Sequence, residues 1–362
     1  MTDQSAFGMN TTDFIDITSA EPSVTGMSST AIIDVMRDEA FKPNHYLITT
    51  FIFTAMILII GGNLIVITVF HYTPSLRNPT SVFITSLAIA DLGVGISCLF
   101  SIQAVFAEKW SFSFGFCKAV GFSLAVVVGV SIMTLGCISI DRYIAVTKPL
   151  RYYTIVTKKR ARLASLGVWI LSFIIFIPSL FGWGSYEFSK ETYECRLHWS
   201  QDVGFSFYVI SILVIPNLLI STFCYYHIYK ACQQQVKKLQ KVEKFSTDNA
   251  TSDSLESDTS RKNHERTVAK IFLIIVSAFY ITWLPFIIIR IIEGTSNVEI
   301  KPIISFLTAW MGIFNSFLNC LIYSITHKSF QAGLKSLLRS MKTECQYHCG
   351  KLPKKCMCCN RV

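Results

Sequence analysis

Charge is what this chain has least of. Only 15% of its 362 residues are Asp, Glu, Lys or Arg, 51% are hydrophobic, and the mean hydropathy is +0.46. A soluble domain carries about 25% charged residues. The deficit comes from long runs, such as Pro43 to Leu76, which contain no formal charge at all. The pattern excludes an ordinary soluble fold and points to an all-α membrane protein. Catalytic signatures are missing as well. There is no P-loop, no G-x-S-x-G, no H-E-x-x-H and no dinucleotide fingerprint, so no enzymatic chemistry is read here. A net charge of +10 would suit a nucleic-acid partner, but most of the 33 Lys and Arg gather on one side of the apolar runs. That asymmetry is the bias that orients membrane proteins, and no nucleic acid is expected.

An apolar run typical of a cleaved leader is also lacking in residues 1–45. The first apolar helix is then expected to act as its own insertion signal, leaving the tail outside, where Asn10 of Asn10-Thr11-Thr12 is a glycosylation acceptor. A second sequon at Asn249 falls on the inner side and should stay bare.

What is present is seven runs long enough to cross about 30 Å of hydrocarbon as helices. They are Tyr46–Tyr72, Thr80–Gln103, Phe116–Val146, Leu163–Trp183, Val203–Tyr229, Glu265–Ile292 and Pro302–Thr326. An odd count puts the C-terminus inside. The seven-helix unit spans 46–326, with a third inner loop at about 231–264. There Ser246 to Ser260 is rich in Ser, Thr, Asp and Glu, reads as disordered, and is equally a phosphorylatable segment or a solvated linker. Residues 327–341 repeat Phe330, Leu334, Leu337, Leu338 and Met341 on one helical face, an amphipathic eighth helix lying on lipid. The tail, 342–362, carries Cys345, Cys349, Cys356, Cys358 and Cys359 among lysines. Their spacing matches no usual zinc finger and fits S-palmitoylation better than zinc or free thiols.

Polar groups inside the runs are candidate functional residues. Asp91 is the one acid deep in an apolar span, and Ser131, Asn315 and Asn319 are placed to converge on it. A carboxylate with hydroxyl and amide oxygens suits a hard cation such as sodium. A protonated Asp91 bonded to the two asparagines is the equal alternative. At the inner end of the third run, Asp141, Arg142 and Tyr143 form a charge pair that can open as a switch. Cys117 and Cys195 are the cysteines expected outside, where a disulfide forms. Pro178, Pro216 and Pro285 are read as kinks within helices, Pro285 with Trp283 and Phe279 forming a hinge.

Taken together these motifs resemble the rhodopsin-like, class A G-protein-coupled receptors over about residues 45–340. The resemblance rests on Gly62-Asn63 with Val66, Leu87 to Asp91, Trp110-Ser111-Phe112 seven residues before Cys117, and Asp141-Arg142-Tyr143. Trp169, Pro216, Phe279 with Trp283-Leu284-Pro285, and Asn319 to Tyr323 complete it. It implies a plasma-membrane receptor whose partners are a heterotrimeric G protein, receptor kinases, arrestin, membrane lipid and an unknown ligand. Glu265 would hold Arg142 at rest, Leu150 would insert into Gα, and Ile132, Pro216 and Phe279 would connect pocket to switch. It also favours sodium at Asp91, Ser131, Asn315 and Asn319 as an allosteric modulator, with no other cofactor.

Two departures stand out. Cys320 occupies the usual proline position of the seventh helix, and either Tyr225 or Tyr226 is left to meet Tyr323 on activation. Leu124 replaces the amine-binding acid of aminergic receptors and Gly312 the retinal lysine of opsins, so neither ligand is expected. Val128, Tyr208, Phe286, Ile287, Arg290, Thr308 and Met311 are the other pocket candidates. Phe181 to Gly184 and the Asn319-Cys320 pair look like a small group of orphan receptors that raise cyclic AMP through Gs without added ligand. In that group the second outer loop fills the pocket, and Tyr186, Phe188, Tyr193 and Trp199 are the aromatics to do so here. A class A receptor for a lipid-like or other weakly polar ligand, coupling to Gi or Gq, is the alternative. A transporter or channel using Asp91 is the alternative of another class, and it lacks the repeat symmetry expected of one.

Overall fold

A computed structural model describes residues 45–199, 201–245, 252–296, 298, 300–326 and 328–350, with side chains at 235–245, 252–266, 341 and 344–350 outside the description. Asn10 and the cysteines at 356, 358 and 359 lie outside the described residues. So do the side chains of Cys345, Cys349 and Glu265.

Seven described helices are long and apolar enough to cross a membrane. They are α1 (His45–Tyr72), α2 (Pro79–Ala107), α3 (Phe114–Thr147), α4 (Lys158–Phe176), α5 (Val203–Phe245, in three consecutive segments), α6 (Ser252–Thr295) and α7 (Pro302–Thr326). An amphipathic α8 (Lys328–Gly350) follows. Helix starts are set by side chains that satisfy the first free N–H groups. Asn78 accepts from Ser81 N at 2.9 Å ahead of Pro79, Ser113 from Phe116 N at 3.2 Å, and Thr157 from Arg160 N at 3.3 Å. The Thr157 cap starts α4 at Lys158, ahead of the apolar run that opens at Leu163.

Prolines act differently from place to place. Pro178 does not kink α4; it lies in a 3₁₀ turn, Ile177–Leu180, that ends the helix. Pro216 follows a π-helical stretch, Ile210–Val214, whose end is marked by the Ile215 N–H donating to the Ile210 carbonyl, and its own ring nitrogen has no hydrogen to donate. Pro285 stands inside α6. The acidic segment expected to be disordered is helical from Ser252 onward, continuous with α6; extending a nucleated helix costs far less than starting one.

α3 runs through the middle and packs against α2, α4, α5 and α6. Its buried Val130 and Ile138 share a core with Leu87 of α2, Leu213 of α5, and Ile275 and Phe279 of α6. Trp169 donates to Ser86 Oγ at 3.0 Å, fastening α4 to α2. Asn63 donates to the Ser316 carbonyl at 3.1 Å, fastening α1 to α7. At α8, Phe330 is fully buried with its ring 5.9 Å from Phe70, while Leu338 is exposed.

The strands are an antiparallel hairpin, β1 (Tyr186–Ser189) with β2 (Glu194–Leu197), pairing Tyr186 with Leu197 and Phe188 with Cys195. It lies across one end of the bundle and is tied to several helices. Cys195 is disulfide-bonded to Cys117 of α3. The Ser179 hydroxyl, at the end of α4, meets Tyr186 Oη at 2.9 Å. Asp202 at the start of α5 accepts from Gly184 N at 3.1 Å, and Trp310 of α7 donates to the Thr192 carbonyl at 3.1 Å. Gly184 takes φ +96° against the Phe205 ring, a conformation and a gap that leave no room for a side chain.

Candidate functional site

The end of the bundle opposite the hairpin is organised by Asp141 and Arg142, 2% and 5% exposed. Arg142 Nη2 and Nε donate to Asp141 Oδ2 at 2.6 and 3.0 Å. The same carboxylate accepts from Thr80 Oγ1 at 2.8 Å and, at its other oxygen, from Tyr152 Oη at 2.8 Å. Tyr152 lies on a single helical turn, Tyr152–Ile155, between α3 and α4. Burial, reinforced by the Asp141 charge, pushes its phenol up and keeps it a donor. The Arg142 guanidinium also lies 5.5 Å from the Phe272 ring of α6. Charge in this low-dielectric setting is tolerable because it is paired and hydrogen-bonded. Leu150, 86% exposed, projects beside the cluster, and Tyr143 packs on Phe223 and His227.

Next to this cluster Tyr323 is fully buried, its ring 6.0 Å from Phe272, and its hydroxyl has no partner. Tyr225 is buried too, whereas Tyr226 is 59% exposed. Of the two tyrosines the sequence left open, only Tyr225 faces the interior.

Midway along the bundle Asp91 is 1% exposed and accepts from Asn319 Nδ2 at 2.9 Å. Ser131 Oγ donates to its own helix at the Val127 carbonyl, 3.1 Å away. The side-chain oxygens of Asn315 and Asn319 are buried with no donor. The polar groups against Asp91 are Asn319, Ser316 and Ser131. Buried oxygens without a donor are costly unless a cation or water meets them, and a carboxylate with hydroxyl and amide oxygens fits a small hard cation.

Between Asp91 and the hairpin, Phe279 is buried and stacked with Trp283 at 6.1 Å, and Trp283 meets Phe286 edge-on at 5.9 Å. Gly312 lies flat against Trp283, where an added Cβ would stand 3.1 Å from the indole. Ile132 is buried beside this stack on the cavity wall.

A cavity of about 100 Å³ lies beneath the hairpin. Leu124, Val128, Phe286 and Ile287 line it, as do Glu194, Arg196, Leu197 and Trp199 from the hairpin strand and its continuation. The other four pocket candidates stand outside its lining. Tyr208 packs on Trp183 and Phe205, and Thr308 bonds back to Ile304. Arg290 is engaged by Glu293 at 2.6 Å and Ser305 at 2.8 Å, and Met311 is half-buried elsewhere on α7. Sequence reasoning missed Thr80, Tyr152, Glu194 and Arg196. The last two had a signal: residues flanking Cys195 in a strand share the face opposite the disulfide. Thr80 had none, because only helix packing brings it to Asp141. Burial pushes the Glu194 carboxyl up to about 7, partly offset by Arg196.

A seven-helix bundle with a buried acid–arginine pair at one end and a hairpin-covered cavity at the other has the architecture of a membrane receptor. Comparison with known proteins gives the same class. The family described as "7 transmembrane receptor (rhodopsin family)" matches residues 62–323. The chain is 38% identical over 296 residues to "Probable G-protein coupled receptor 21" of Mus musculus, covering 81% of this chain and 83% of that one. It is 39% identical over 294 residues to "G-protein coupled receptor 52" of Bos taurus, covering 80% of each. Among solved structures, that of squid rhodopsin superimposes with a TM-score of 0.75 at 27% identity, covering 83% of this chain and 87% of that one. The chain belongs to the rhodopsin family of seven-transmembrane, G-protein-coupled receptors, and is a multi-pass membrane protein. A transporter or channel is displaced by that membership.

Proposed function

We propose that this receptor works in the plasma membrane, N-terminus outside, and signals mainly through Gs and adenylate cyclase without added ligand. The observation that carries the reading is the hairpin, whose Glu194, Arg196, Leu197 and Trp199 occupy the cavity wall where an agonist would press. Resemblance to the self-activating orphan group supports the choice of Gs. In this reading α6 swings at Pro285, Arg142 leaves Asp141 and parts from Glu265, and the opened cleft admits a Gα helix beside Leu150. Phe279, Ile132, Pro216 and Trp283 relay the movement. The change is a population shift, in which about 1.4 kcal/mol alters the ratio tenfold. Receptor kinases and arrestin would then act on the same open face, and palmitoylated tail cysteines would hold α8 to lipid.

Sodium at Asp91, Ser131, Asn315 and Asn319 would stabilise the closed state. Added sodium should lower basal signalling in membranes, and Asp91→Asn should remove that response.

The test of the main reading is cyclic AMP in cells expressing the chain without ligand. Arg142→Ala and replacement of the cavity-wall residues Glu194, Arg196, Leu197 and Trp199 by Gly/Ser should each reduce a high basal signal to background. Signal that survives loop replacement would sink the self-activating hairpin and keep the coupling. The apolar cavity that remains favours a second reading, a weakly polar or lipid-like ligand acting through Gi or Gq, and those readouts decide it if cyclic AMP stays at background.

A further inference from the structure

The cavity under the hairpin has one cationic side chain in its wall, Arg196, and one of its hydrogen-bond donors meets no acceptor. Arg196 Nη1 is buried and has no hydrogen-bond partner. Its Nη2 makes one long contact, 3.3 Å, to Ser189 Oγ, and the guanidinium lies 5.9 Å from the Phe286 ring. Arg290, the other arginine among the pocket candidates and their neighbours, is committed to Glu293 and Ser305. Glu194, the other ionisable group on the wall, is buried where its neutral form is favoured, which leaves the Arg196 charge less compensated. A neutral carboxyl can also donate a hydrogen bond to a second carboxylate. The rest of the wall is almost wholly apolar, and the volume is of the order of the ~150 Å³ cavity that admits benzene.

We propose that this cavity binds a small apolar monocarboxylate of about benzoate size, its carboxylate on the Arg196 guanidinium and its apolar body against Val128 and Ile132. The unmet donor is the reason: a buried guanidinium N–H without an acceptor is destabilising, and a planar carboxylate is the group that matches it. The inference rests on the hairpin being a lid over the receptor's ligand cavity. Binding needs no G protein, however, so its failure and a failure of the signalling reading are separable.

The experiment uses the full chain in lipid nanodiscs and saturation-transfer NMR with benzoate, benzylamine and benzyl alcohol. Saturable benzoate binding is expected in the millimolar range, where ligands this small bind. Arg196→Gln should weaken it at least tenfold, Val128→Phe should abolish it by filling the cavity, and Glu194→Gln should leave it intact or stronger. Arg196→Lys, which keeps the charge, should retain part of the binding if Arg196→Gln does not fold. Benzylamine binding tighter than benzoate would make Glu194 the anchor and overturn the proposal. So would benzoate binding indifferent to both Arg196→Gln and Val128→Phe, or no saturable binding up to about 10 mM.

Discussion

The two ends of this receptor are closed by opposite means. At the Arg142 end the closure is electrostatic and local: one carboxylate gathers Arg142, Thr80 and Tyr152 within 3.0 Å. At the hairpin end it is covalent and spread out, a disulfide and single hydrogen bonds to several helices, with donors on Arg196 and Arg290 left unmet. A satisfied polar cluster has two clear arrangements, made or broken, and so suits a switch. An incompletely satisfied lid holds a shape while leaving room for something else to bind.

Removing the covalent tie should have the largest effect. Cys117→Ser takes away the bridge between α3 and β2, and loss of a structural disulfide typically costs 2–5 kcal/mol. Surface expression should fall several-fold, read by labelling of intact cells; unchanged expression would mean the hydrogen bonds alone seat the hairpin. Weakening the electrostatic closure should do less, and in the other direction. Tyr152→Phe deletes the donor to Asp141 Oδ1, about 1 kcal/mol for one hydrogen bond, so basal signalling should rise up to about fivefold at matched expression. A fall would show that Tyr152 serves the active arrangement instead.

The smallest expected effect is of pH on the lid. Glu194 is raised from 4.5 to about 7 by burial, so the seated hairpin favours its protonated form. That stabilisation is complete below the unfolded value and is lost as pH rises through about 7. The groups facing it are Arg196 and Thr192 on the hairpin, Ser97, Cys98 and Ser101 on α2, and Trp110 before α3. The purified receptor should unfold at a slightly lower temperature at pH 8 than at pH 6. Glu194→Gln should remove part of the difference, and an unaltered difference would clear Glu194 of the role.

Much of this was legible from residue order. The seven spans follow from hydropathy and length, because backbone groups in lipid must bond within their own helix. Asp91 and Asp141-Arg142 stand out because charge within such spans is rare. Other features were not legible. That Tyr225 rather than Tyr226 points inward depends on the rotation of α5, and Pro178 ends α4 where a kink was expected. The extension of α6 to Ser252 went against a composition that reads as disordered.

Sequence alone therefore determined the number of membrane helices, the disulfide pair and the family resemblance, all carried by local composition and spacing. Tertiary structure decided which groups meet. It brought Thr80 and Tyr152 to Asp141, committed Arg290 to Glu293, and turned Glu194 and Arg196 into a cavity wall. The reason is physical: hydropathy and spacing act along the chain, whereas a buried hydrogen bond depends on how helices far apart in sequence are rotated and packed against each other.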